Sequence, residues 1–252
     1  MNLFFESSSD FKANQQVKAA NIPFLSSSAI VDENTFILIY ENSLFSLKSM
    51  NKTLGGQLNC CFDDNNTQKL ITSINIKSPL IKATGCKSGF RPKVLDISAG
   101  FARDALMLAS MGCHVDLVEK NPIIFLLLSS ALSAACDSAN PLIKDSIYRL
   151  CLLKQQSAQC YLADIDSDYD VIYFDPMFPP RKKQAKVKKT MQFFHHIVGE
   201  DDNNSEVLFK LALDKAGKRF VIKRPLLAPK YAGFTPNYSV KTKTTRFDIY
   251  LK

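Results

Sequence analysis

The chain has 252 residues, 46% of them hydrophobic and 22% charged, which excludes disordered, collagen-like and small disulfide-stapled classes and leaves enough apolar side chain for a sizeable core. Its net charge of +8 is unevenly laid out: residues 1–180 carry 15 Lys and Arg against 18 Asp and Glu, whereas residues 181–252 carry 17 against 6. A basic last third points to a polyanion partner, because Lys and Arg that neutralise phosphates release condensed counterions; a solvated lysine-rich face would give the same sum.

The start, MNLFFESSSDF, lacks a basic opening and meets Glu6 and Asp10 where a leader would need its apolar run. The most apolar stretch, residues 123–128, falls short of the roughly 18 to 20 residues a membrane span needs. A cytoplasmic protein without a membrane partner is expected. The Asn and Ser density before residue 35 predicts a loosely held start. Alternating or β-branched runs follow at 35–40, 44–48 and 57–62, separated by Glu41-Asn42 and Leu54-Gly55-Gly56, and predict a small meander. We therefore expect a β-rich N-terminal region over 1–90 and a second domain over 91–252.

From Lys93 the pattern becomes strand and helix in alternation. Short apolar runs predict strands at 93–97, 114–119, 150–154, 170–175 and 219–223, with helices at 103–111 and 122–136. Asn121 is a plausible N-cap for the second helix, and Pro122 suits its first position, where a missing N–H costs nothing. The third strand has a rival at 159–162, but that choice leaves about seven residues before Asp170, too few for a parallel crossover. The final runs, 238–241 and 246–252, predict a terminal hairpin. The sum is an α/β fold: a mostly parallel sheet, covered on both faces, with an antiparallel hairpin at its edge. The seven cysteines form no C-x-x-C pair, which favours reduced, mostly structural thiols, and no metal site is expected.

Residues 94–105 read VLDISAGFARDA. A strand ends at Asp96, and a turn of small residues with Gly100 lets backbone approach a ligand at the carboxyl ends of the strands, where open α/β sheets bind. The pattern departs from G-x-G-x-x-G, which argues against a dinucleotide fold, and Ala102 is expected to hold a φ below zero. Glu119 ends the second strand, 23 residues after Asp96, where an acid can accept hydrogen bonds from ribose hydroxyls. After the apolar run 171–174 comes Asp175-Pro176-Met177-Phe178-Pro179-Pro180, similar to the (D/N)-P-P-(F/Y) loop of methyltransferases that act on exocyclic or amide nitrogens. An amine conjugated to a ring is a poor nucleophile. An acid that accepts its N–H groups can favour attack, while an aromatic ring holds the base by stacking. Arg181, Lys182, Lys183, Lys186, Lys188 and Lys189 follow at once, a grip for phosphates that adds affinity more than sequence readout. His195 and His196 have no matching Asp or Ser constellation and are expected to be structural or surface residues.

Taken together, DISAGFARDA, VEKNP (118–122), DPMFPPRKKQAKVKKTM (175–191), VIKRP (221–225) and RFDIYL (246–251) resemble the RsmJ family of bacterial small-subunit ribosomal RNA methyltransferases. The resemblance covers roughly residues 95–251. It implies a Rossmann-like class I methyltransferase fold, S-adenosylmethionine as cofactor, 16S rRNA or the small ribosomal subunit as partner, and methylation of a guanine N2. Carried over by motif, the cofactor contacts would be Asp96, Gly100, Arg103, Asp104, Glu119, Lys120, Ser157, Ala158 and Asp175. Asp175 and Phe178 would serve the chemistry, and the six cations from Arg181 to Lys189 the RNA. Lys120 stands where the family often has Arg, and Ala158 replaces a usual Ser, leaving only its backbone for contact. The family's Gly- and Arg-rich stretch before the first strand is replaced here by residues 68–87. Two other readings fit the same motifs: methylation of a DNA adenine or a protein amide, and a non-catalytic RNA-binding relative.

Overall fold

The computed structural model describes residues 2–51, 56–166, 168–176 and 205–252. Among them the chain forms two compact units, one from residues 1–62 with 121–135, the other from 63–120, 136–177 and 201–252.

In the first unit β1 (Asn2–Phe5) pairs in parallel with β2 (Thr35–Glu41), which continues through β3 (Leu44–Ser49) to β4 (Gln57–Asn59) as an antiparallel meander. Asn42 and Ser43 link β2 to β3 with φ of 50° and 64°; two left-handed residues match the right-handed twist of a hairpin. The expected loose start is instead built in. Phe5 is fully buried and meets the ring of Phe24 edge-on at 5.4 Å. Helix α1 (Phe11–Ala19) is capped by Asp10, whose carboxylate accepts the Ala13 N–H at 2.8 Å. A third element is the apolar helix α5 (Pro122–Ala135), which packs on β3 and whose Ser130 Oγ accepts the Phe45 N–H at 3.0 Å. Asn121 Oδ1 accepts from Ile123 and Ile124 N–H, the expected cap.

The second unit opens with α2 (Asn65–Ser73) and α3 (Pro79–Thr84), both in a stretch whose sequence predicted strand or irregular chain. Asp64 caps α2 through the Asn66 and Thr67 N–H groups, and Gly85, at φ 76°, closes α3. Then come β5 (Val94–Asp96), α4 (Arg103–Ser110), β6 (Val115–Glu119), α6 (Pro141–Ile147), β7 (Leu150–Gln155), α7 (Ala158–Asp164), β8 (Val171–Phe174), α8 (Ser205–Lys215), β9 (Arg219–Pro225), β10 (Tyr238–Lys241) and β11 (Thr245–Leu251). The seven strands stand in the order β10-β11-β9-β8-β5-β6-β7, parallel except for β10 and β11. The mostly parallel sheet with an antiparallel hairpin at its edge is the one the sequence led us to expect. The third strand is at 150–155, and the rival run lies in α7, as the crossover length demanded. Leu95, Val118, Ile172, Phe220, Ile222 and Tyr250 line one core on the sheet. The order reverses between β5 and β8, so their carboxyl ends flank the crevice where open α/β sheets take ligands. Of the cysteines, Cys60, Cys86 and Cys113 are buried and Cys61, Cys151 and Cys160 exposed. No helix among the described residues is long and apolar enough to cross a membrane.

Candidate active site

The turn after β5 is held from both neighbouring strands. On the β6 side, the Ala99 N–H donates to the Val118 carbonyl at 3.1 Å, and the Gly100 N–H donates to Glu119 Oε2 at 2.9 Å. Glu119 is only 7% exposed. Gly100 has φ 53°, and among the described residues a Cβ added there would meet only the Ser98 carbonyl, at 3.8 Å, so they leave space above the turn. The Gln156 N–H donates to the Glu119 carbonyl at 3.0 Å, bringing the tip of β7 beside β6. Ser157 caps α7 through the Cys160 N–H, and Ala158 opens that helix. Lys120 follows Glu119 half-buried, its carbonyl taking Gln155 Nε2 at 3.3 Å.

Ala102 departs from the expected negative φ. It sits at 51°, the left-handed N-cap of α4. Its N–H donates to the Ala99 carbonyl at 2.7 Å and its own carbonyl takes the Leu106 N–H at 2.8 Å. Only 1% of its surface is open. Two close backbone bonds and full packing impose a conformation that costs an L-residue about 1 to 2 kcal/mol.

On the β8 side the turn enters a network of charge. Asp96 Oδ1 accepts both the N–H and the Oγ–H of Ser98, at 2.9 and 3.0 Å, and Ser98 Oγ in turn accepts the Asp175 N–H at 2.7 Å. From β9, Lys223 Nζ reaches Asp104 Oδ2 at 2.7 Å and Asp175 Oδ2 at 2.9 Å. The hydroxyl of the fully buried Tyr173 donates to the same Asp104 oxygen. Burial pushes the Asp96 carboxyl up to about 7, with help from the charges of Asp104 and Asp175. Asp175 is raised to about 6 by burial, against the pull of Lys223. Burial works against the Lys223 ammonium, yet the two carboxylates hold it above its ordinary value. Tyr173 is driven far up by burial and by Asp104, so it stays a donor.

The structure thus brings Asp96, Asp104 and Asp175 into one network and Gly100, Glu119 and the β7 tip into another. Arg103 stands exposed at the first turn of α4. Phe178, Arg181, Lys182, Lys183, Lys186, Lys188 and Lys189, with His195 and His196, lie outside the described residues. Three linking residues went unassigned in the sequence: Ser98, Tyr173 and Lys223. The last is placed by strand register, which no local pattern encodes. Ile222 pairs with Phe174, so a lysine one place further along an apolar strand stands level with Asp175.

A family model described as "Putative SAM-dependent methyltransferase" matches residues 25–252. A ribosomal RNA small subunit methyltransferase J from Cellvibrio japonicus is 35% identical, over 97% of this chain and 95% of that protein. Its namesake from Coxiella burnetii (strain Dugway 5J108-111) is 36% identical, over 95% and 92%. The crystal structure of a SAM-dependent methyltransferase from Neisseria gonorrhoeae superimposes with a TM-score of 0.74 at 27% identity, covering all of this chain and 96% of that one. The turn after β5, the glutamate that braces it and the acid at the end of β8 sit within that matched length, and the chain belongs to the SAM-dependent methyltransferase family.

Proposed function

We propose that this protein transfers the methyl group of S-adenosylmethionine to the exocyclic N2 of a guanine in the 16S RNA of the small ribosomal subunit, and that it does so in the cytoplasm. The observation that carries the reading is the fixed position of Asp175. Its N–H is tied to Ser98 and its carboxylate to Lys223 at the carboxyl end of β8, the sheet position from which an acid can serve an amine. The names of the relatives supply the RNA.

The residues at the ends of β5 and β6 suit the cofactor. Gly100 leaves the turn open, and a carboxylate has about four acceptor sites, so Glu119 can brace Gly100 and still accept from ribose hydroxyls. Asp96, Arg103, Asp104, Lys120, Ser157, Ala158 and Asp175 complete the proposed set. When bound, S-adenosylmethionine supplies an electrophilic methyl group on a positively charged sulfur. Asp175 accepts an N–H of the guanine amine, which orients a delocalised lone pair, and takes up the proton the amine sheds as it gains a substituent. Lys223 fixes that carboxylate by holding it beside Asp104, with Nζ 2.9 Å from Asp175 Oδ2 and 2.7 Å from Asp104 Oδ2. Phe178 is assigned to stacking on the base, worth about 1 to 3 kcal/mol. Arg181, Lys182, Lys183, Lys186, Lys188 and Lys189 are assigned to flanking phosphates.

Mapping methylated guanines in 16S RNA from cells with and without the gene tests the reading. One N2-methylguanine that disappears with the gene supports it. An unchanged map overturns it.

A further inference from the structure

From Lys223 onward the chain carries more positive charge than the site uses. Residues 223–246 hold six cations, Lys223, Arg224, Lys230, Lys241, Lys243 and Arg246, and no acid. Strand register locates Lys223, Arg224, Lys241 and Arg246. Lys223 stands level with Asp175, one place past the Phe174–Ile222 pair. Arg224 pairs with Arg246, Pro225 with Thr245, and Lys241 with Arg246. The loop after β9 and the turn between β10 and β11 therefore project from the same end of the sheet as Asp175. At about 4.8 Å between strands, β11 and β10 lie roughly 10 and 14 Å across the sheet from β8.

Within this edge the arginines and the lysines have different work. Arg246 is bound to the buried Asp248 at 2.9 Å and donates to the carbonyls of Leu226 and Ala228 at 2.7 and 2.8 Å. Arg224 donates to the Pro229 carbonyl at 2.7 Å. Both guanidinium groups are spent on shaping the loop. That loop is consequently braced, and it displays Leu227 at 81% exposure. The lysines are not spent. Lys230, Lys241 and Lys243 are exposed and make no ion pair among the described residues; Lys230 Nζ rests on Thr235 Oγ1 at 2.7 Å. A stiff rim carrying unneutralised cations favours a polyanion, since each phosphate contact releases counterions and little order is lost on binding.

We propose that Lys230, Lys241 and Lys243 form a second phosphate-binding ledge for the RNA substrate, across the sheet from the site and independent of the Arg181–Lys189 run. The ledge rests on the RNA-methyltransferase reading above and extends it to a named surface. Arg224 and Arg246 act as braces of that surface rather than as phosphate ligands.

The test uses the full-length protein, transcribed 16S RNA and three proteins: wild type, Lys230→Gln/Lys241→Gln/Lys243→Gln, and a control with the same loss of charge elsewhere, Lys69→Gln/Lys77→Gln/Lys87→Gln. RNA affinity is measured across a salt series and S-adenosylmethionine affinity by calorimetry. The ledge variant is expected to bind RNA at least tenfold more weakly at low salt, with the log–log salt slope smaller by about 2, from about 0.7 per lost contact. Its cofactor affinity is expected to match wild type, which also certifies folding. The control is expected to keep the wild-type slope. A ledge variant with wild-type slope, or a control that loses as much, overturns the ledge and leaves the RNA reading standing. A wild-type protein without salt-dependent RNA binding overturns both.

Discussion

The two halves of the seven-stranded sheet meet at β5 but are built differently at their carboxyl ends. Toward β6 and β7 the turn is backbone and small residues, braced by a single buried glutamate through Gly100. Toward β8 and β9 three carboxylates, a tyrosine and a lysine are linked through side chains. The first half suits a neutral, hydroxyl-rich nucleoside, whose recognition needs acceptors and space. The second suits proton and amine chemistry, where facing charges set which group is ionised. Ser98 is the seam, joined to Asp96 of β5 and to Asp175 beyond β8. The lesson is a division of labour at the switch point: positioning on one side, charge on the other.

The largest expected effect breaks the charged half. Asp175→Asn keeps the shape but loses the carboxylate, and methyl transfer should fall by about 10² to 10⁴, the range for a positioned acid or base. In wild type the single-turnover rate should fall as pH drops through about 6, where Asp175 takes up its proton; the residual rate of the variant should lose that dependence.

Next comes the seam. Burial raises Asp96 to about 7, so the fold favours its protonated form. That share of stability is present below the ordinary carboxylate range and is lost as pH rises through about 7. Asp96→Asn retains an oxygen for Ser98 and cannot ionise. Thermal unfolding should show the variant more stable than wild type by roughly 2 to 4 kcal/mol at pH 8, and nearly equal at pH 4.

On the other half, Glu119→Ala should weaken S-adenosylmethionine binding by about 1.5 to 3 kcal/mol, the range for hydrogen bonds to a charged group. Calorimetry reads it directly, and Glu119→Gln should recover part of the loss by restoring an acceptor for Gly100. The smallest effect is Ala102→Gly. Relief of the left-handed strain, less the added freedom of the unfolded chain, should stabilise the protein by about 0.5 to 1 kcal/mol in denaturant titration.

Much of the sheet was legible because each parallel strand is a short apolar run with polar bounds, and because crossover length decides between rival runs, as at 150–155 against 159–162. The short helices were less so. Asp64 and Ser78-Pro79 are start signals in plain view, but the segments they open have nine and six residues, too few for a helical period to outweigh β-branched neighbours. Ala102 could not be read locally, since only its packing and two backbone bonds impose its φ. Asp96, Glu119 and Asp175 were legible as acids at or just past strand ends, where the structure has them. Lys223 was not, because its role depends on the register of β9 against β8, which no local pattern encodes.

The central claim is that the charged half of the sheet methylates a guanine amine. The most direct measurement incubates wild-type protein and Asp175→Asn with small-subunit RNA and methyl-labelled S-adenosylmethionine, digests the RNA to nucleosides and locates the label by mass spectrometry. We expect label on N2-methylguanosine with wild type, and at least a hundredfold less with Asp175→Asn. Label on another nucleoside, or equal label from both proteins, would contradict the account.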